Sequence, residues 1–440
     1  MKQHVRASNT LIVSCMAAVV LSAAASCASV HSQREASSLR EWVMRASRPL
    51  SGVEPTANVG ELAPLDAIVG DAHVVGMGET AHHMRELALI RARAMQYLVE
   101  RRGARALAME TGMAEAERLN RWILGVATVA DFAEGMPFAN DGSYLEVRDA
   151  LAWLREHNAK VPALQRVRFY GIDMARGGGA LDPVLAEVWS YLAVVDSETA
   201  VREKTVIQPI STRLGIGRPT SAQARYDSLS AATRTALDAG LARIASTMDA
   251  KRRAYTAQSS TDEYARARQL VEVARQTVYM MKLPPTSAAR DSALAANVRW
   301  IAERERDRGI VIVWAANAHV QRAAIDIPGV TRAPAKSMGQ YLHEVFGRDY
   351  VAIGTAVGAV EGDTAQLKVG SVDAVLGLAA APVYLIDLRN ARTSGEADAW
   401  LDSPHPMRFI PPLYLSVVPR QAFDGLFFFA KITAGRRVED

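Results

Sequence analysis

Short runs of apolar and β-branched residues recur along the chain with helix-like segments between them, and nothing else constrains the fold as strongly. The run "IVIVWAA", within residues 309–317, is apolar at every position. A strand with one wet face would alternate, so this run suits a central strand covered on both faces. Comparable runs stand at 73–79 ("HVVGMGE"), 104–110 ("ARALAME"), 166–173 ("RVRFYGID"), 350–358 and 382–388, and near the end as "LYLSVV" and "GLFFFAKI". Helical patterns fill 84–102, 114–123 and 144–158. Strand–helix alternation of this kind predicts an α/β fold with a mostly parallel central sheet flanked by helices. From about 180 to 305 strand signals become few and Ala/Arg/Glu-rich helical stretches take over, which predicts a large helical insertion lying over the sheet.

The N-terminus reads differently. Lys2 and Arg6 precede the apolar stretch "LIVSCMAAVVLSAAAS", the layout of a secretory signal peptide over residues 1–27. Ala-Ala-Ser before Cys27 resembles a bacterial lipobox, with Ala24 where leucine is usual. The expectation is an exported protein, periplasmic or attached to the membrane through a lipidated Cys27. A linker and short helix ("SLREWVMRAS") occupy 28–60, and the α/β domain runs from 61 to 435. The two cysteines are Cys15 and Cys27, so export leaves one at most and neither a disulfide nor thiol catalysis is expected. A net charge of +4, with arginines scattered through helices and no basic stripe interleaved with aromatics, argues against nucleic acid as a partner.

In an open α/β sheet, ligands bind beyond the carboxyl ends of the strands. Those ends are polar here. The first strand ends in Glu79 with His82 and His83 beyond it, the second in Glu110, the third in Asp173, and the fourth in Asn317 with His319 two residues later. His82 can be a hydrogen-bonded turn residue or, because a helix N-terminus disfavours the imidazolium, a neutral base toward water. Glu110 would be costly to bury alone, so it pairs with an arginine or orients a histidine. Arg85 and Arg91 lie on the following helix, as surface or site residues, and Arg290 and Asp291 form a helix cap or reach the cleft. There is no G-x-S-x-G, H-E-x-x-H or Walker loop, and no G-x-G-x-x-G after the first strand. A hydrolase of this composition would activate water directly with His and Glu.

"GETAHHMRELALIRAR", "LAME", "WLREHNA", "VRFYGID", "ARDSALAANVRW", "VIVWAANAHV", "MGQYLHEVFGRDYVAIGTAVG" and "FDGLFFF" follow one another in an order that resembles the erythromycin esterase family, over roughly residues 60–430. The resemblance implies hydrolysis of a small-molecule ester, a macrolactone among the family's substrates, by an activated water without a covalent intermediate, and the reading favoured here needs no cofactor or metal. Carried over position by position, it makes His82 the general base, with Glu79 and Glu110 orienting it and the second imidazole. His319 would polarise or protonate the ester, and Arg91 and Arg290 would stabilise the oxyanion. His83, Arg85 and Asn317 join them as substrate-binding candidates. Two positions depart from the family's pattern: Ala316 replaces the first histidine of a His-Asn-x-His segment, and His83 stands where glycine is usual. His83 therefore either compensates in part for the missing imidazole or marks a substrate other than a macrolide. Two alternatives use the same residues: a metal-dependent hydrolase with Glu79, His82, Glu110 and His319 as ligands, and an exported haem-binding lipoprotein with His83 as axial ligand.

Overall fold

The computed structural model describes residues 37–127, 142–283, 289–391, 393 and 395–438. The expected signal peptide, residues 1–27 with Cys27, lies outside the described residues. Ten strands are present among those described: β1 (Ser47–Pro49), β2 (Val74–Glu79), β3 (Ala104–Gly112), β4 (Arg168–Asp173), β5 (Ile310–Ala316), β6 (Tyr350–Val360), β7 (Val383–Asp387), β8 (His405–Arg408), β9 (Tyr414–Val417) and β10 (Gly425–Ile432). Eight of them form one sheet in the order β1-β7-β10-β6-β2-β5-β3-β4, and β8 and β9 pair as a separate ribbon. The six strands from β10 to β4 run parallel, while β7 is antiparallel to both β10 and β1. The fold is thus α/β with a mostly parallel central sheet.

The continuous apolar run of β5 has the purpose its sequence suggests. Ile310, Ile312 and Trp314 enter the core on one face, and Val311, Val313 and Ala315 enter the core on the other. The first core is closed by helices α1 (Arg85–Arg101), α2 (Met113–Ile123) and α3 (Leu145–Lys160). From Asp182 to Glu305 the named elements are all helical: α4 (Asp182–Val195), α5 (Ser197–Leu214), α6 (Ala231–Ala250), α7 (Thr261–Met281) and α8 (Ala289–Glu305) are the longest. Helices α4 to α7 bury a third core of their own, and α8 packs Leu294, Val298 and Ile301 on the second face of the sheet. Beyond β5 come the short α9 (Asn317–Val320) and α10 (Met338–Phe346), whose Met338 and Leu342 join that second face.

This topology decides where a ligand can go. Strand β2 leaves into α1 on the first face, and its neighbour β5 leaves into α9 and α10 on the second. Neighbouring parallel strands whose connections part to opposite faces open a crevice at their carboxyl ends. Glu79 and Ala316 are register partners at that edge.

Candidate active site

Four adjacent strands, β2, β5, β3 and β4, end at the crevice, and their last residues build one polar cluster. Glu79 at the end of β2 is almost fully buried. One carboxylate oxygen meets His82 Nδ1 at 2.6 Å, and the other meets Arg91 Nη2 at 2.5 Å. Arg91 is buried too, with its guanidinium 5.1 Å from the ring centre of Trp314. Glu79 thus bridges a buried arginine and a partly exposed histidine. With Nδ1 held by the carboxylate, Nε2 is the His82 nitrogen that can act on a water.

Glu110 comes in from β3 through a register irregularity between Met109 and Gly112 in its pairing with β4, the kind of bulge that re-aims a side chain at a sheet end. Its Oε2 accepts from the Ala316 backbone N–H at 3.2 Å, and its Oε1 accepts from Arg290 Nη2 at 2.8 Å. Arg290, from the start of α8, also spans to Asp173 at the end of β4 (2.6 Å) and to His319 Nε2 (3.2 Å). The His319 ring is fixed from its other side, because Nδ1 donates to Asp291 Oδ1 at 2.8 Å, an oxygen that also accepts the Met338 N–H at 2.8 Å.

The charges follow from these contacts. Burial opposes ionisation of Glu110, but His319 and Arg290 outweigh it and hold the carboxyl down at about 2; His82 adds to the same effect, which ties the two halves of the cluster together. Burial also opposes protonation of His319. Asp291 and Glu110 more than reverse this, against Arg290, so the imidazole titrates above its ordinary value. The histidine paired to Glu79 therefore stands near the Arg290 guanidinium and a His319 ring whose pKa is raised.

Four candidates read from sequence sit elsewhere or act differently. Asn317 is fully buried; its amide donates to Thr355 O at 2.7 Å and accepts from Thr355 N at 3.1 Å, tying α9 to β6 and leaving it no path to a substrate. Gly78 permits that clamp, since a Cβ there would lie 2.3 Å from Asn317 Oδ1. Arg85 turns away and pairs with Glu54 at 2.6 Å, with Glu146 at 3.8 Å. Arg91 supports Glu79 from within the core and does not face the crevice. His83 is exposed in a left-handed conformation (φ 63°), stacked on Tyr144 at 4.7 Å, with its carbonyl accepting from Gly435 N at 2.8 Å. That placement ties it to the C-terminal segment.

Two further residues belong to the cluster, Asp291, which the sequence left open between a helix cap and the cleft, and Glu115, which it did not single out. Asp291 holds His319, as above. Glu115, in the first turn of α2, is buried with Oε2 lacking a hydrogen-bond partner, and burial followed by the nearby Asp173 charge raises its pKa. It fits only because residue 112 is glycine, whose Cβ would lie 2.0 Å from Oε2. Its signal in sequence is faint, one of two glutamates inside an amphipathic helix. Among the described residues, no three His, Cys, Asp or Glu side chains are grouped as a metal site.

A carboxylate–histidine pair beside an arginine–histidine pair, at the switch point of a mostly parallel α/β sheet, is a site of the hydrolase type. The chain belongs to the erythromycin esterase family: the profile described as Erythromycin esterase matches residues 99–432. It is 25% identical over 420 residues to the type II erythromycin esterase of Escherichia coli, covering 89% of this chain and 97% of that one. With the type I enzyme of Escherichia coli it is 24% identical over 298 residues, 64% of this chain and 70% of that one. Its fold matches a crystal structure of a Bacillus cereus protein with a TM-score of 0.77 at 24% identity, covering 92% and 99% of the two chains. It also matches a mutant erythromycin esterase in an open conformation with a TM-score of 0.70 at 18% identity, covering 89% and 98%.

Proposed function

We propose that this protein hydrolyses a carboxylic ester, a macrolactone or a related compound, by direct attack of a water activated by His82. The observation that carries the reading is the pair of coupled arrangements at the crevice, Glu79–His82 on β2 and Glu110–Arg290–His319 across β3 and α8. His82 Nε2 takes a proton from water as its oxygen bonds to the ester carbon. Arg290 and the protonated His319 stabilise the oxyanion that forms. When that intermediate collapses, the carbon–oxygen bond to the alcohol breaks and the leaving alkoxide takes a proton from His319 or His82. Positioned proton transfer of this kind is worth about 10²–10⁴-fold, and a donor aimed at the oxyanion about 10²–10³-fold.

The donor set favours this over a metal hydroxide mechanism. Glu79 and Glu110, the two carboxylates a metal would need, are already neutralised by Arg91 and Arg290. Turnover of a simple activated ester is expected to persist in excess EDTA and to fall at least about 10²-fold in His82→Ala. Loss of turnover on chelation would move the reading to the metal mechanism. Export belongs to the same proposal, supported by the charged start and apolar stretch of residues 1–27. Intact mass of the mature protein from a membrane fraction tests it, with a chain beginning at an acylated Cys27 as the expected result and an unmodified Met1 start as the contrary one.

A further inference from the structure

At the edge of the sheet opposite Glu79, near the N-terminal ends of β6 and β10, a cavity of about 360 Å³ is lined by Arg322, Arg348, Arg389, Arg420, His343 and Asp424 among others. Four arginines from four separate segments meet there. Arg322 follows α9, Arg348 lies in the turn Gly347–Asp349 that leads into β6, Arg389 follows β7, and Arg420 lies in the short helix Pro419–Ala422. Like charges gathered this way repel one another, so the molecule has to hold them in place. Asp424 does so at the centre, 3.2 Å from Arg322 Nη1 and 4.0 Å from Arg389 Nε, while its other oxygen accepts the Ala352 N–H. Backbone carbonyls fix the same side chains, Arg420 O for Arg322 (2.8 Å) and Ile68 O for Arg389 (3.1 Å). Arg420 is neutralised by its own pair of aspartates, Asp398 and Asp402, at 2.7 Å each.

The charges do not balance. The four arginines of the lining face three carboxylates, Asp424, Asp398 and Asp402, which leaves a surplus of one positive charge, and both of the latter lie on Arg420. Arg348 is exposed and makes no ion pair among the described residues, and Arg322 Nε is buried without an acceptor. His343 Nδ1 is engaged with Gly347 O at 3.0 Å. Guanidinium groups pair with phosphate oxygens through parallel N–H donors, and three of them around one cavity match a multiply charged oxyanion better than a carboxylate.

We propose that this cavity is a second ligand site, distinct from the crevice at Glu79, and that it takes a phosphate-type dianion such as a diphosphate or a phosphomonoester. The site is independent of the ester chemistry, so its success or failure leaves that reading untouched. Isothermal titration of the full chain with pyrophosphate, at ionic strength fixed with sodium chloride, tests it. Saturable one-to-one binding is expected, weakened at least about tenfold in Arg348→Ala and further in Arg348→Ala/Arg389→Ala, with ester hydrolysis unchanged. Arg348→Lys keeps the charge but not the parallel donors and is expected to bind more tightly than Arg348→Ala and more weakly than wild type, which separates a lost ligand contact from a damaged fold. Co-sedimentation with phosphatidylcholine vesicles, with and without phosphatidic acid, identifies the source. Binding to the phosphatidic acid vesicles that the double variant loses assigns the site to a lipid headgroup, and pyrophosphate binding alone assigns it to a soluble phosphate. No saturable binding of pyrophosphate, or equal affinity in wild type and double variant, would overturn the proposal.

Discussion

Glu110 and His319 are bonded into one cluster, yet they titrate in opposite directions, and the signs of their pH effects differ accordingly. The Glu110 carboxyl is held at about 2 against an ordinary 4.5, so its stabilising contribution is present above 4.5 and is lost as pH falls through about 2. The size is roughly 3 kcal/mol for a shift of that span. The gap in unfolding free energy between wild type and Glu110→Gln is expected to be widest above pH 4.5 and to narrow toward pH 2, as followed by urea denaturation. His319 titrates above the ordinary 6.5, so its contribution is full below 6.5 and is lost as pH rises through the folded value. Where His319 acts as a cation toward the oxyanion, kcat/KM falls along the same alkaline limb. His319→Asn is expected to lower the rate and to remove that limb.

At the scale of elements, position beside a strand end does not by itself mean exposure to substrate. Asn317 and His319 are two residues apart on one short helix, yet one clamps β6 and the other joins the cluster. Asn317→Ala strands the amide and carbonyl of Thr355, about 1–3 kcal/mol for each group left unsatisfied. Thermal unfolding should therefore drop by several degrees while KM stays the same. Arg85→Ala removes a half-exposed pair with Glu54 and is expected to change stability by less than about 1 kcal/mol and kcat/KM not at all. The same scale explains what could be read in advance. Buried parallel strands announce themselves as unbroken apolar runs, so β2 to β6 stand within a residue or two of the segments their sequences suggest. Strand β1, three residues long, and β8, four, are too short to show a period. The antiparallel direction of β7 is also invisible, since "PVYLIDL" is equally apolar in either sense. Polar strand ends made the crevice legible, and Asp291 stood open between a helix cap and the cleft, but Glu115 reaches it from a helix, where one carboxylate looks like any other. The fates of Asn317 and Arg85 depended on Thr355 and Glu54, partners that only the folded chain brings near.

For the whole molecule, the order of strands does the positioning. Because β5 enters between β2 and β3 late in the chain, Glu79 and Glu110 come to lie two strands apart, with Ala316 between them. Where a histidine is usual at position 316, this chain offers a small side chain and a backbone N–H already given to Glu110. His83 is stacked on Tyr144, with its ring centre 6.0 Å from that of His82. In the proposed reaction, oxyanion stabilisation is assigned to Arg290 and His319. Fold alone does not choose the substrate, so the chemistry at this edge has to be tested directly. Mass spectrometry of erythromycin and a panel of simple esters incubated with the purified protein does this. Gain of one water by at least one substrate with wild type, reduced at least about 10²-fold with His82→Ala, is the result predicted; hydrolysis that proceeds equally in both would contradict the assignment of His82 as the base.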